Sequence, residues 1–145
     1  LTKKITNSIH IFENVRNIHI GFDFPEQEEV WVWADHEQLL RMFNNLIKNA
    51  IQAIPDEQKE GLVQITLEKN NRQVLITVKD NGRGIPEEMR EKLFQPNFTT
   101  KSSGMGLGLS IVKNIVMNMG GEIWFETETG KGSRFFVSLP LVDQA

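Results

Sequence analysis

Apolar and polar residues alternate along six stretches of the chain, and a period of two residues predicts a strand in each. The predicted strands cover residues 18–24, 30–33, 62–68, 73–79, 122–127 and 133–139. Polar turns separate them, and Asn70-Asn71 predicts a hairpin between the third and fourth strands. The chain is therefore expected to contain a sheet of several short strands.

Apolar residues spaced three or four apart predict helices over residues 2–14, 36–54 and 106–119, with a short helix over 86–94. Asp35 is typical of a helix N-cap, Pro55 of a helix stop, and Gly120-Gly121 of a helix C-terminus. Because helices and strands do not alternate strictly, we expect a mixed, largely antiparallel sheet with helices on one face. The predicted fold is a two-layer α/β (α+β) sandwich that forms one domain over residues 1–145.

Asp80 follows the strand at 73–79 and shares a face with Val74, Ile76 and Val78. That position puts a carboxylate on the apolar side of the sheet, where an unpaired charge is costly. Asn81-Gly82 is also typical of a hairpin turn. However, Pro86 and the acids after it predict a helix rather than a second strand. The pattern favours strand, glycine turn and helix, and a plain turn stays open.

The helix predicted at 36–54 is apolar around most of its circumference. One polar stripe of roughly 100° remains, formed by Arg41, Asn45, Lys48, Asn49 and Gln52. Asn45 and Asn49 lie one helical turn apart, although asparagine is a poor residue for a helix interior. Two interpretations are open: the amides bridge buried backbone to water, or an amide oxygen ligates Mg²⁺, which prefers oxygen.

A glycine-bearing loop, Gly104-Met105-Gly106-Leu107-Gly108, leads directly into the helix predicted at 106–119. Free N–H groups at a helix N-terminus, approached closely through glycines, can bind an anion. The glycine spacing matches neither the dinucleotide fingerprint nor the P-loop. A plain surface loop is equally compatible with this segment.

Composition narrows the function classes. The 145 residues carry 16 basic and 19 acidic side chains, for a formal net charge of -3, so nucleic acid is not an expected partner. The absence of cysteine excludes disulfides, thiolate zinc sites and cysteine nucleophiles. No apolar run approaches the ~18 residues of a membrane helix. Because the chain begins at Leu1, we expect a fragment of a larger protein, a cytoplasmic domain whose parent could be anchored in a membrane.

Five segments together resemble the ATP-binding catalytic domain of two-component sensor histidine kinases, within the superfamily of gyrase, Hsp90 and MutL. They are Asn45–Ala50, similar to the N box, Asp80–Ile85, similar to the G1 box, Phe94–Phe98, similar to the F box, Gly104–Gly108, similar to the G2 box, and Gly130–Phe135, similar to the last glycine turn. Asn-Ala-Ile-Gln-Ala and Phe-Thr-Thr-Lys resemble the nitrogen-regulation type. The resemblance covers nearly the whole chain and implies a Bergerat-type ATP-binding fold.

The resemblance also implies roles for single residues. Asp80 would accept a hydrogen bond from the adenine amine, supported by Ser133, and Asn49 would ligate Mg²⁺ with Asn45 close by. Residues 94–105 would form a lid in which Lys101 contacts phosphate, so Asn45, Asn49 and Lys101 would serve catalysis. The further implied nucleotide contacts are Gln52, Gly82, Gly84, Ile85, Phe98, Thr99, Thr100, Gly104, Met105, Gly106, Leu107 and Gly108.

The function implied is Mg-ATP binding and delivery of the γ-phosphoryl group to a histidine on a separate dimerisation domain, for onward transfer to a response regulator receiver domain. Asn45 stands where ATP-hydrolysing members carry a glutamate, which argues against a gyrase-type ATPase. An anti-sigma-factor-type serine kinase and a nucleotide-controlled docking module also stay open as functions. His10, His19 and His36 lack the acceptor pattern, so we expect a monomeric fragment of a homodimeric parent.

Overall fold

The structure is a computed structural model that describes residues 18–23, 32, 35–55, 57–95 and 105–141. The elements in these residues are β1 (Ile18–Asp23), α1 (His36–Gln52), β2 (Gly61–Lys69), β3 (Gln73–Asp80), α2 (Glu87–Arg90), α3 (Met105–Asn118), β4 (Glu122–Glu128) and β5 (Gly132–Pro140). The predicted helix at 2–14 lies outside the described residues. So does the predicted strand at 30–33, apart from Val32.

The described strands form one sheet in the order β1-β2-β3-β5-β4. β1 is parallel to β2, and the other three pairs are antiparallel. The predicted mixed, largely antiparallel sheet is confirmed. The β2–β3 hairpin is also confirmed, since Asn70 Oδ1 accepts hydrogen bonds from the N–H groups of Arg72 and Gln73, each at 2.8 Å.

The two faces of the sheet differ sharply in chemistry. On the inner face, β2, β3 and β5 contribute Val63, Ile65, Ile76, Val78 and Val137, each no more than 1% exposed. These side chains pack against α1 and α3 in one core. The outer face carries exposed polar side chains at the alternate positions Gln64, Lys79, Glu126 and Arg134. The predicted two-layer arrangement, with helices on one face, is confirmed.

Helix α1 begins as the sequence predicts. Asp35 caps it by accepting hydrogen bonds at Oδ1 from the N–H groups of Glu37 at 2.9 Å and Gln38 at 3.3 Å. The helix ends at Gln52, with Ala53 as its C-cap. In the described part of the chain, no helix is both long and apolar enough to cross a membrane.

Helix α2 is shorter than the predicted helix at 86–94. After Arg90 the chain continues in turns, with a hydrogen bond from the N–H of Lys92 to the carbonyl of Met89 at 3.1 Å. Leu93 is buried and Phe94 is half-buried, and these consecutive residues both pack on the core.

Gly132 opens β5 at a place that no side chain can occupy. Its φ is 127°, and an added Cβ would collide with the carbonyl oxygen of Asp80 on the neighbouring strand. Gly130, in the preceding turn, has a φ of 84° but no atom within 4 Å of an added Cβ. A side chain at Gly130 would therefore cause backbone strain alone, whereas a side chain at Gly132 would cause both backbone strain and a collision.

We predict that Gly130→Ala lowers the free energy of unfolding by about 1–2 kcal/mol, the usual cost of a left-handed residue. Gly132→Ala should lower it by more than about 3 kcal/mol, because β3 and β5 must also separate. Urea denaturation of both variants measures the difference. Equal losses would contradict the close packing of β5 against Asp80.

Candidate functional site

Asp80 ends β3 with its side chain on the inner face, as the alternation predicts. It is 2% exposed, and its register partners are Val63 on β2 and Ser133 on β5. Its Oδ1 accepts a hydrogen bond from the N–H of Gly82 at 2.9 Å. Burial raises the pKa of Asp80 from 3.8 to about 6, and hydrogen bonds from the backbone of Gly82 and Ser133 partly oppose that rise. A buried carboxyl thus titrates close to neutral pH.

The turn after Asp80 is held between two other parts of the chain. The N–H of Arg83 bonds to the carbonyl of Ala53 at 3.0 Å, and the N–H of Gly130 bonds to the carbonyl of Arg83 at 2.8 Å. A Cβ on Gly82 would collide with that Ala53 carbonyl, and one on Gly84 would lie 2.5 Å from the Glu128 oxygen. These glycines permit close approach to protein backbone. The predicted sequence of strand, glycine turn and helix is confirmed.

The polar stripe of α1 becomes more buried towards one edge. Arg41 and Lys48 are exposed, Asn45 and Gln52 are partly buried, and Asn49 is 5% exposed. Asn49 Oδ1 is buried and has no hydrogen-bond partner in the described part of the chain. An orphaned buried acceptor is costly unless a ligand or water completes it.

That orphaned oxygen fits Mg²⁺. An amide oxygen is a hard ligand of the kind Mg²⁺ prefers, and Mg²⁺ needs only one or two protein ligands when a bound phosphate supplies others. No group of three or more His, Cys, Asp or Glu side chains within the described ranges could hold a metal. A metal ion at Asn49 would therefore take most of its ligands from the phosphates of a bound molecule and from water.

Asn45 connects α1 to the first turn of α3. Its Nδ2 donates to the carbonyl of Arg41 at 2.9 Å. Its Oδ1 lies 3.1 Å from where a Cβ on Gly108 would be. A side chain at Gly108 would press on this amide, so the glycine keeps α3 close to the polar stripe.

Asn49 and Asp80 belong to the same helix–sheet interface. The N–H of Ala53 bonds to the carbonyl of Asn49 at 3.1 Å, and the Ala53 carbonyl holds the N–H of Arg83 at 3.0 Å. One turn of helix thus separates Asn49 from the residue that clamps the turn after Asp80. The structure therefore connects the end of the helix that carries Asn49 to the turn that follows Asp80.

Several predicted site residues cannot be placed in this way. Phe98, Thr99, Thr100, Lys101 and Gly104 lie outside the described residues, and of Met105, Gly106 and Leu107 only their place at the start of α3 is described. Their contacts to a nucleotide stay predictions.

Phe94 anchors the chain just before residue 96. Its ring lies 5.8 Å from that of Phe125 and 6.5 Å from that of Phe135, between ring centroids. The Nζ of Lys113 on α3 stands 5.7 Å from the Phe94 centroid. The first residue of the predicted lid segment is therefore fixed to the core.

Sequence reasoning assigned no hydrogen-bonding role to three polar residues around the site. Thr127 accepts a hydrogen bond from the N–H of Ile85 at 2.9 Å. Asn81 ties the end of β3 to β2 by accepting from the N–H of Leu62 at 2.8 Å. Asn44 Oδ1 is a second buried oxygen with no partner among the described residues. Only Thr127 had a usable signal, because it continues the inward alternation of Ile123 and Phe125.

An open cavity of about 340 Å³ lies beside the ends of β3, β4 and β5. Its lining includes the exposed side chains of Lys79, Glu126, Lys131 and Arg134. Lys79, Glu126 and Arg134 occupy the outer-face positions of their strands, and Asn49 does not line the cavity. The lining also includes Asp80, Thr127 and Ser133, so the cavity borders the strand ends that carry one half of the candidate site.

Comparisons with known proteins agree on one family. A family profile for histidine kinase-, DNA gyrase B-, and HSP90-like ATPases matches residues 34–143. The chain is 38% identical over 141 residues to sporulation kinase C of Bacillus subtilis (strain 168), covering 97% of this chain and 32% of that protein. It is 37% identical over 126 residues to the sensory histidine kinase/phosphatase NtrB of Azospirillum brasilense, covering 79% of this chain and 31% of that protein.

Among solved structures, the chain is similar to the nucleotide-free catalytic domain of histidine kinase ThkA. The TM-score is 0.83 at 36% sequence identity, and the match covers 97% of this chain and 91% of that one. The chain thus spans nearly all of a catalytic domain, but only 32% and 31% of the two curated relatives.

We predict that Asp80 makes stability depend on pH in a defined direction. The pKa of Asp80 is about 6 in the folded chain, whereas its ordinary value, which applies to the unfolded chain, is 3.8. The folded chain therefore binds the proton more tightly. The protonated carboxyl therefore stabilises the fold fully below pH 3.8. This contribution, roughly 3 kcal/mol, is lost as the pH rises through the folded pKa of about 6. Urea denaturation at about pH 4 and pH 7 should therefore show Asp80→Asn gaining most of that amount relative to wild type, since a small part is already lost at pH 4. A difference independent of pH would contradict the buried ionised carboxylate.

Proposed function

Because this chain belongs to the family of histidine kinase-, DNA gyrase B-, and HSP90-like ATPases, we propose that it binds Mg-ATP and delivers the γ-phosphoryl group to a histidine on a separate domain. The observation that carries this proposal is the pairing of a buried carboxylate with an orphaned buried amide oxygen in one interface. The carboxylate of Asp80 suits the base, and the oxygen of Asn49 suits a metal-bound phosphate tail. Of the two relatives described above, one is named a sporulation kinase and the other a sensory histidine kinase/phosphatase.

At the base end, Asp80 selects adenine by hydrogen-bond polarity. An ionised carboxylate is acceptor-only, and with a pKa of about 6 Asp80 is mostly ionised at neutral pH. Adenine presents an amine donor at the position where guanine presents a carbonyl acceptor. In guanine, the carbonyl oxygen would face the Asp80 carboxylate, so that two hydrogen-bond acceptors would lie opposite each other. Unpaired polar groups are costly in such a buried setting.

At the phosphate end, the residues that would hold the metal are Asn49, as ligand, and Asn45, beside it. Mg²⁺ supplies charge neutralisation of the phosphates. Gly108 keeps the first turn of α3 against Asn45, so the N-terminus of that helix stands close to the same place. Lys101 is proposed as a phosphate contact.

Transfer is favoured over hydrolysis by the chemistry of Asn45. An amide cannot remove a proton from water, and its nitrogen already donates to the carbonyl of Arg41 at 2.9 Å. Phosphoryl transfer depends mainly on positioning and charge neutralisation, so an acceptor that brings its own nucleophile can still react. The partners proposed are the histidine-bearing dimerisation domain of a homodimeric parent and a response regulator receiver domain. The chain itself is proposed to be a monomeric cytoplasmic domain.

A transfer experiment tests this function directly. The 145-residue chain is mixed with Mg²⁺, γ-labelled ATP and the parent's dimerisation domain, supplied separately. We expect label on that domain that is lost in acid and stable in base, as for a phosphorylated imidazole. The control acceptor has its histidine replaced by alanine. Acid-stable label, or steady ATP turnover that needs no acceptor, would support the serine kinase or the gyrase-type ATPase instead.

We also predict that Asn49→Ala removes the dependence of ATP binding on Mg²⁺. Wild type should bind ATP at least tenfold more tightly with Mg²⁺ than with EDTA, and the variant should lose most of that gain, at least about 1.4 kcal/mol. Calorimetric titration in both conditions measures it. Asn44→Ala is the matched control, since it removes the other orphaned oxygen of α1. A variant at Asn49 that keeps the full Mg²⁺ effect would exclude this residue as a ligand.

A further inference from the structure

Asn81-Gly82 is the one Asn-Gly pair in the chain, and the proposed function makes no use of the Asn81 side chain. In such a pair the backbone nitrogen of the glycine can attack the side-chain amide carbon of the asparagine. Glycine favours this attack because it has no Cβ to hinder the approach. The pair is therefore chemically labile unless the fold holds the two reacting groups apart.

Hydrogen bonds direct the Asn81 side chain towards β2. Its Oδ1 accepts from the N–H of Leu62 at 2.8 Å, and its Nδ2 donates to the carbonyl of Glu60 at 3.1 Å. The backbone of Asn81 is held in the same place. Its N–H bonds to the carbonyl of Leu62 at 3.1 Å, and its carbonyl accepts from Gln58 Nε2 at 3.1 Å. These four hydrogen bonds form the Asn81 clamp.

The attacking nitrogen is held as well. The N–H of Gly82 donates to Asp80 Oδ1 at 2.9 Å. The attack needs this nitrogen without its proton and turned towards the amide carbon of Asn81. Removing the proton beside a carboxylate would leave two negative charges in contact, which is unfavourable. This hydrogen bond therefore opposes the attack in addition to the Asn81 clamp.

The Asn81 clamp lies where it can open without unfolding of the core. Its side-chain hydrogen bonds to Leu62 and Glu60 are at exposed positions, and Asn81 itself is only partly buried. Solvent-exposed hydrogen bonds open locally at a lower free energy than those of the core. Water can therefore reach Asn81 as soon as the clamp opens.

We infer that Asn81 is a site of spontaneous deamidation whose rate is set by opening of the Asn81 clamp, whether or not the chain binds a nucleotide. In the first step a bond forms between the Gly82 nitrogen and Asn81 Cγ, and the bond between Cγ and Nδ2 breaks. The proton of the Gly82 N–H leaves with Nδ2 as ammonia. Water then opens the cyclic imide at either carbonyl and gives aspartate or isoaspartate.

Either product prevents the clamp from closing in its original form. Aspartate places an oxygen opposite the carbonyl of Glu60, where Nδ2 donated before, so that two acceptors face each other. Isoaspartate adds one main-chain carbon between Asp80 and Gly82, which moves the N–H of Gly82 away from Asp80 Oδ1. The modification therefore disturbs the turn beside the buried carboxylate.

The test follows loss of the Asn81 amide by mass-spectrometric peptide mapping of the full chain at neutral pH. The folded chain should lose the amide at least about tenfold more slowly than the chain unfolded in urea, because several hydrogen bonds must open first. A synthetic peptide of residues 78–85, with and without urea, corrects for any effect of urea on the chemistry. Equal rates in the folded and the unfolded chain would overturn the inference.

Gln58→Ala weakens the clamp without changing the Asn-Gly pair. Gln58 Nε2 donates to the carbonyls of Asn81 at 3.1 Å and Glu60 at 3.0 Å. Its loss should raise the rate in the folded chain about fivefold and leave the rate in urea unchanged. Gln64→Ala, at an exposed position on the outer face of β2, is the matched control and should keep the wild-type rate. Equal rates in the two folded variants would contradict the role of the clamp.

Hydrogen exchange in wild type distinguishes local opening from global unfolding. The exchange of the Leu62 N–H reports the clamp, since Asn81 Oδ1 is its acceptor. The exchange of the Ile76 N–H, in the core of β3, reports global unfolding. The factor by which folding slows deamidation should match the protection of Leu62 and fall well below that of Ile76. A factor that matches Ile76 overturns the inference, and this comparison decides alone if Gln58→Ala does not fold.

Discussion

A buried carboxylate is the constraint on which the rest of this structure depends. Asp80 occupies an inward position that a valine or isoleucine would fill in an ordinary strand, and its desolvation raises its pKa to about 6. Two backbone hydrogen bonds partly stabilise the carboxylate. Glycines occupy the nearby positions where the backbone of another segment comes close. Functional sites often contain groups that lower the stability of the fold, and a buried charge of this kind is typical of them.

The second half of the site depends on the first through the backbone. The carbonyl of Ala53, at the end of α1, holds the turn after Asp80, so the helix cannot shift without moving that turn. Asn49 lies one turn back along the same helix, with its oxygen buried and unpaired among the described residues. The position of Asn49, the proposed metal ligand, relative to Asp80, the proposed base-binding group, thus depends on helix geometry and one backbone hydrogen bond rather than on a loop.

Much of the fold could be predicted from the sequence, because the period of each segment directly reflects burial. The alternation around Val78 identified the inner face of β3, and the cap at Asp35 identified the start of α1. The inward position of Asp80 was predicted in the same way, and the polar stripe that contains Asn49 was identified from the helical period. Candidate site residues could therefore be named within a single strand or helix, but their contacts with other elements could not.

What could not be predicted depends on partners distant in the sequence. That Gly82 lies against Ala53, or that Asn81 fastens β3 to β2, follows only from the assembled sheet. The alternation along β4 predicts that Thr127 points inward, but its partners Ile85 and Ser133 are identified only in the assembled sheet. The early end of α2 was not predicted either: after Arg90 the chain continues in turns, and Leu93 and Phe94 pack on the core from there.

The most direct test is a crystal structure of this chain with Mg²⁺ and a non-hydrolysable ATP analogue. The account predicts the adenine amine within about 3.2 Å of an Asp80 oxygen and the metal about 2.1 Å from Asn49 Oδ1. An analogue whose adenine does not contact Asp80, or a metal whose ligands exclude Asn49, would contradict it.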